Sequence, residues 1–88
     1  MATFSVLVEV KHRPGIADPQ GTTIERNLPH LGFDGIAGVK VGKAIRFTCD
    51  ATDEAACRRE VDEMAVKFLT NPVIEDYDVT IHEVAGAR

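Results

Sequence analysis

The stretch Arg13-Pro14-Gly15-Ile16-Ala17-Asp18-Pro19-Gln20-Gly21 determines how the first half of the chain is organised. It places two prolines and two glycines between an apolar strand and a helix. Because Pro fixes φ and Gly allows positive φ, the stretch predicts a turn of defined shape. Asp18 followed by Pro19 is typical of a helix start, with Asp18 as the N-cap and Pro19 at the first helical position. From the residues alone, an ordinary turn with a helix cap is the simplest interpretation.

The residues on either side of this stretch predict a strand and a helix. Residues 3–11 alternate, with Phe4, Val6, Val8 and Val10 on one apolar face, which indicates a half-buried strand. Residues 19–31 predict a helix that ends at Gly32. Its apolar side chains recur at helical spacing and are expected to face the core; they are Ile24, Leu28 and Leu31. Pro29 lies inside this helix and predicts a kink or a tightened last turn.

The middle of the chain, residues 35–49, is too long for one flat strand. Val39 and Val41 alternate before Gly42, and Ile45, Phe47 and Cys49 alternate after it. Two strands joined by a tight turn near Gly42 are the preferred interpretation. One bent strand with a bulge at Gly42 is the alternative.

The last third of the chain predicts a second helix and a final strand. The helix is expected to begin at a cap formed by Asp50 or Thr52 and to end before Asn71-Pro72. Its apolar face is expected to join the core and comprises Cys57, Val61, Met64, Ala65 and Phe68. Residues 75–84 alternate as a strand, and residues 85–88 are expected to form a flexible tail.

The predicted order is therefore β-α-β-β-α-β in a single domain spanning residues 1–88. The fold class is α+β, with a four-stranded antiparallel sheet and two helices on one face, ferredoxin-like in the broad sense. A chain of 88 residues buries only about 60–65% of its unfolded surface. We therefore expect a homodimer or a higher homo-oligomer.

Composition excludes several classes of partner. The formal net charge is −4, which argues against nucleic acid as a partner. No apolar run approaches the ~18 residues of a membrane span, and the N-terminus lacks the pattern of a signal peptide. A cytoplasmic location is the default expectation.

The motif search finds no catalytic constellation. The glycines are not gathered before a helix as in a phosphate-binding loop, and Ser5, the single serine, lies mid-strand. Cys49 and Cys57 do not have metal-ligand spacing and are interpreted as small buried apolar residues. We therefore expect no catalytic residue, no metal site and no cofactor bound by this chain. A ligand-binding regulatory domain of the ACT type shares the element order and stays open as an alternative.

Four motifs together carry a family resemblance. They are Lys11 to Gly21, Leu31-Gly32-Phe33, Val41-Gly42-Lys43, and Leu69 to Tyr77. In this order and spacing, over about residues 4–82, the chain resembles PurS, the small subunit of the multi-subunit phosphoribosylformylglycinamidine synthase of purine biosynthesis.

The resemblance implies a role in an ATP- and glutamine-dependent C–N ligase. ATP, magnesium and nucleotide chemistry are expected in a large synthetase subunit, and ammonia release in a glutaminase subunit. The PurS-like subunit is expected to bridge these two partners and to support ammonia transfer without a complete active site. The motif positions expected to contact a partner subunit are Arg13, Pro14, Asp18, Gln20, Gly21 and Lys43.

Overall fold

The computed structural model describes residues 1–84, and the expected tail at residues 85–88 lies outside the described residues. Three strands form the sheet: β1 (Ala2–His12), β2 (Lys43–Ala51) and β3 (Glu75–Glu83). Two α-helices connect them, α1 (Pro19–Asn27) and α2 (Glu54–Met64). A 3₁₀ turn (Pro29–Leu31) follows α1, and a π-helical turn (Ala65–Leu69) follows α2. Within the described part, neither helix has the length and apolar character needed to cross a bilayer.

The sheet is antiparallel in the order β2-β1-β3. The central strand pairs Val6 with Phe47 on one side and with Ile81 on the other. The apolar face of β1 is buried as predicted, because Phe4, Val6, Val8 and Val10 are at most 3% exposed. Cys57 and Val61 of α2 complete this core. Ala65, the first residue of the π-helical turn, is also fully buried.

The prediction of four strands is wrong, because residues 35–42 form no strand in the described structure. The backbone N–H of Val39 donates to Glu25 Oε1 at 3.0 Å, and that of Val41 donates to Asp18 Oδ2 at 2.8 Å. Since side chains of α1 and its cap satisfy these donors, the segment runs along α1 and does not join the sheet. Gly42 is not a hairpin turn; a Cβ at this position would overlap the carbonyl oxygen of Val10.

The structure also corrects the expected faces and ends of the helices. Ile24 is 44% and Leu31 71% exposed, so the apolar stripe of α1 does not enter the core. Met64 and Phe68 are exposed too. From Ala65 onward the helix continues as a π-helical turn, and this change of period shifts the face on which Phe68 lies. The cap of α2 is Asp53, whose side chain accepts from the Ala56 N–H at 2.8 Å.

The tightened turn at Pro29 is confirmed. The α-helix stops at Asn27, and the N–H of Leu31 then bonds to the carbonyl of Leu28, three residues earlier. Pro29 has no N–H to continue the α-helical ladder, so the chain takes the tighter turn. Gly32 follows with φ of 92° and ends the segment as predicted.

The molecule is elongated for its length. Its extents are 52 × 30 × 15 Å and its radius of gyration is 17.0 Å. A compact domain of this size has a radius of gyration of about 12 Å. The core lies between the sheet and α2, and α1 with residues 36–42 extends beyond it.

Candidate functional site

The loop between β1 and α1 is held by backbone hydrogen bonds at its start and within it. At its start, the N–H of Arg13 donates to the carbonyl of Ile74 at 2.8 Å. Inside the loop, the N–H of Ile16 donates to the carbonyl of Arg13 at 3.1 Å, across a turn in which Gly15 has φ of 85°. A residue with a side chain rarely adopts this conformation, so the glycine fixes the turn. The prediction of a turn of defined shape is confirmed.

Asp18 links this loop to α1 and to the segment that runs along α1. Its Oδ1 accepts from the Gly21 N–H at 3.0 Å, which confirms the predicted N-cap, and its Oδ2 accepts from Val41. The side chain is buried, with 7% of the residue exposed. The hydrogen bonds from Gly21 and then from Val41 hold the pKa of Asp18 below its usual value, against the opposing effect of burial. The carboxylate is therefore ionised at neutral pH.

Gly21 allows the segment and the helix to approach closely. It is buried, and a Cβ at this position would overlap the carbonyl oxygen of Val39 and lie 2.7 Å from Asp18 Oδ2. Gly21 therefore has a packing role, since its backbone lies where α1 meets residues 39–41.

Arg13 is exposed but bound to β3. Its Nε lies 3.2 Å from Asp76 Oδ1, and the neighbouring Lys11 Nζ lies 3.1 Å from Asp78 Oδ2. These side chains are about half exposed or more, and ion pairs of that kind contribute at most about 1 kcal/mol. A partner with suitable carboxylates could therefore displace either pair at low cost.

The six candidate contact residues do not form one patch. Pro14 and Asp18 line a pocket of about 400 Å³ beside the loop, which Arg13 also lines. Gln20 is exposed and lines a separate hollow of about 530 Å³ with Ile24 and Val41. Lys43 is exposed at the start of β2, opposite Val10.

Sequence reasoning missed several residues that the structure places at the surface around this site. The apolar ones were assigned to the core or not assigned at all; Leu31, Phe33 and Ile36 are between 51% and 71% exposed. Lys40 and His12 line the 400 Å³ pocket with Asp18. A signal existed for the apolar residues, because the stripe of α1 is visible in the sequence.

The two cysteines are not arranged as reactive thiols. Cys57 is fully buried, as predicted, whereas Cys49 is half-buried. Burial first, and then the hydrogen bond to Glu60 at 3.3 Å and the neighbouring Cys57 thiol, raise the pKa of Cys49 to about 12. At neutral pH the thiol is protonated, and a protonated thiol is a poor nucleophile.

Comparison with known proteins identifies the family. Residues 5–83 match the family model PurS: Phosphoribosylformylglycinamidine (FGAM) synthase. The chain belongs to the PurS family. Of the alternatives that the sequence left open, this match supports the synthase subunit over an ACT-type regulatory domain.

Individual relatives agree with the family model. The chain is 40% identical to phosphoribosylformylglycinamidine synthase subunit PurS of Synechocystis over 97% of this chain and 85% of the relative. The crystal structure of Methanocaldococcus jannaschii PurS superimposes with a TM-score of 0.83 at 34% identity, covering 92% and 98% of the two chains. A chain of the structure of PurLQS from Thermotoga maritima superimposes with a TM-score of 0.84 at 30% identity, covering 96% and 100%.

Proposed function

We propose that the chain is a non-catalytic subunit of an FGAM synthase that joins the synthetase and glutaminase subunits and supports ammonia transfer between them. The observation that carries this proposal is the similarity to the Thermotoga maritima PurLQS chain over 96% of the sequence. A protein that superimposes on that chain over almost its full length is suited to the same position in a complex. The partners are then a PurL-type synthetase and a PurQ-type glutaminase.

The chemistry of the described residues supports a non-catalytic role. The side chain of Ser5 is exposed on the sheet face opposite the core, and the Cys49 thiol is held protonated. Among residues 1–84, no group of three or more His, Cys, Asp or Glu side chains is placed to hold a metal ion. We assign ATP and magnesium to the synthetase because the resemblance implies it.

The shape of the molecule supports an assembly role. Its radius of gyration exceeds that of a compact chain by roughly 5 Å, because α1 and residues 36–42 extend away from the core. Large apolar side chains remain exposed on this extension and beyond α2, including Leu31, Phe33, Phe68 and Val73. Exposed apolar surface of this extent is typical of protein interfaces. We assign it to contacts with a second copy of the chain and with the synthetase.

Reconstitution tests the proposal. The three subunits from one organism are purified separately and mixed, and glutamine-dependent FGAM formation is measured with and without this chain. We expect the chain to co-elute with the synthetase and the glutaminase, and we expect glutamine-dependent activity to require it. Full glutamine-dependent activity in its absence would refute the proposed role.

Lys43 provides a residue-level test of the partner contact. Lys43→Glu is expected to weaken assembly, since it reverses an exposed charge in the proposed contact region. Arg58→Glu makes the same charge change at an exposed position of α2 and serves as the matched control. Equal assembly and activity for the two variants would exclude a role for Lys43.

Light scattering tests the homo-oligomer. The isolated chain is expected to have the mass of a dimer or a larger assembly at micromolar concentration, because the exposed apolar side chains need cover. A monomeric mass over this range would refute self-association.

A further inference from the structure

The pocket beside the β1–α1 loop has the dimensions of a small-molecule site. Its volume is about 400 Å³, and ligand pockets typically span about 300–1,000 Å³. Pro14 and Ile16 form apolar walls, and His12, Asp18 and Lys40 are among its polar lining residues. Apolar walls with a few converging polar groups are typical of sites for small organic ligands.

Two of its polar groups have no partner within the described residues. The Nδ1 atom of His12 is buried and makes no hydrogen bond there. Lys40 is exposed and forms none of the ion pairs found in residues 1–84. A buried polar atom without a partner is uncommon in folded proteins and calls for an explanation, such as a missing ligand or water.

The charges around the pocket favour an anionic ligand. Three cations and the carboxylate of Asp18 line it. Lys11 and Arg13 are already paired with carboxylates of β3, so Lys40 is the lining cation that remains for an incoming anion. Asp18 already uses one oxygen for the Gly21 N–H and the other for the Val41 N–H. Lys40 and His12 lie near enough to Asp18 to lower its pKa, but within residues 1–84 no hydrogen bond joins either of them to it, which leaves their N–H groups for a ligand.

Asp18 also restricts where in the pocket an anionic group can lie. Its carboxylate repels a second negative charge placed close to it, so the anion is expected beside the ammonium of Lys40 and away from that carboxylate. One oxyanion group can accept a hydrogen bond from the ammonium of Lys40. A second bond, from an N–H at His12 Nδ1, requires the imidazole ring to turn this buried atom toward the pocket. The remainder of the ligand would then lie against Pro14 and Ile16.

We propose that this pocket binds a small organic molecule through one oxyanion group, a carboxylate or a phosphate monoester, held by Lys40 and His12. The proposal rests on the pocket alone. It does not depend on the role of the chain in a synthase complex.

Nuclear magnetic resonance of the full-length, ¹⁵N-labelled chain tests this site. The chain is titrated separately with inorganic phosphate, ribose 5-phosphate and L-glutamate at constant pH and ionic strength. Saturable shifts are expected at residues 11–18 and 40 for at least one organic anion. Ribose 5-phosphate alone would identify a phosphate ester, and L-glutamate alone a carboxylate. Shifts with inorganic phosphate but neither organic anion would overturn the organic-ligand proposal.

Variants assign the binding to the two residues. Lys40→Gln removes an exposed charge and is expected to weaken binding by about tenfold, the loss typical of a charge-assisted hydrogen bond. Lys67→Gln makes the same change outside the pocket, on the π-helical turn after α2, and should leave the dissociation constant unchanged. His12→Gln provides a second test if it folds, while Lys40→Gln suffices if it does not.

Three results would overturn the proposal. One is the absence of saturable shifts up to about 10 mM of every probe, which exceeds the range of specific metabolite binding. Another is equal weakening of binding by Lys40→Gln and Lys67→Gln, which would indicate non-specific charge attraction. The third is no small-anion binding together with loss of synthetase capture in Lys40→Gln, which would identify the pocket as a protein contact.

Discussion

Gly21→Ala tests whether the close contact between α1 and residues 39–41 positions the helix. In an open helix position this change would stabilise the protein by up to about 1 kcal/mol, because Ala has the higher helix propensity. Here the new Cβ would overlap the carbonyl oxygen of Val39 and lie 2.7 Å from Asp18 Oδ2. The backbone oxygen cannot rotate away, so relief requires the segment or the helix to move. Overpacking of this kind costs about 1–3 kcal/mol.

The net expectation for Gly21→Ala is a loss of about 1–2 kcal/mol in the free energy of unfolding. In urea this lowers the midpoint by about 1 M, given the slope usual for small domains. If α1 and its segment open separately from the sheet, the loss appears as hydrogen exchange of the Val41 amide that is about tenfold faster. Both measurements are made at one fixed protein concentration, because self-association changes apparent stability.

Thr23→Ala is the matched control for helix propensity. Thr23 is exposed on α1, and Ala in its place raises propensity by about 0.5 kcal/mol without a new contact. The reasoning fails if Gly21→Ala is as stable as the Thr23→Ala control and the Val41 amide keeps its protection.

Three further outcomes follow from the core, the helix cap and the thiol. Val61→Ala, at a fully buried position, should lower the free energy of unfolding by about 2 kcal/mol, as measured by urea denaturation; a loss below about 0.5 kcal/mol would contradict the packing. Folding lowers the pKa of Asp18. The stabilising effect of its carboxylate is therefore present above the usual pKa of about 3.9 and is lost as the pH falls through the folded pKa. The stability difference between the protein and Asp18→Asn should shrink below about pH 4, and a constant difference would refute this. The pKa of Cys49 is raised from 9.0 to about 12. Its thiol should therefore react with iodoacetamide about a thousandfold more slowly than an ordinary thiol at pH 8, and Glu60→Gln should make this reaction faster. Equal reaction rates before and after unfolding would show that the thiol is not protected.

The central and C-terminal parts of the sheet were predictable because their alternation is long and regular. Residues 3–11 of β1 alternate, and the structure buries all four apolar side chains on one face. Residues 35–42 also alternate in part, yet they form no strand. Alternation reports an extended backbone, but it does not report which groups accept the backbone hydrogen bonds. Here Asp18 and Glu25 accept them, and both lie too far along the sequence for a local pattern to include.

Amphipathic spacing likewise predicted a helix at α1 but not what covers its apolar side. The positions of Ile24 and Leu31 indicate that the stripe needs cover. They do not indicate whether the cover comes from this chain or from another, and the structure leaves both side chains exposed. At the site, the roles of Pro19 and Asp18 follow from known cap chemistry. The pocket formed with Lys40 and His12 does not, since it depends on where a segment without regular structure returns to the loop.

The position of α1 depends on a small number of contacts, and this connects the fold to the proposed role in assembly. The core consists of the sheet and α2, whereas α1 meets residues 39–41 through Asp18, Gly21 and Glu25. The contact between α1 and residues 39–41 sets the position of the exposed apolar residues of α1. A change at Gly21 is therefore expected to shift the surface offered to a partner without disturbing the core. Gly21→Ala is therefore expected to weaken synthetase binding more than Val61→Ala does, even where both lower stability by the same amount. Equal binding by the two variants would show that the partner does not contact the α1 surface.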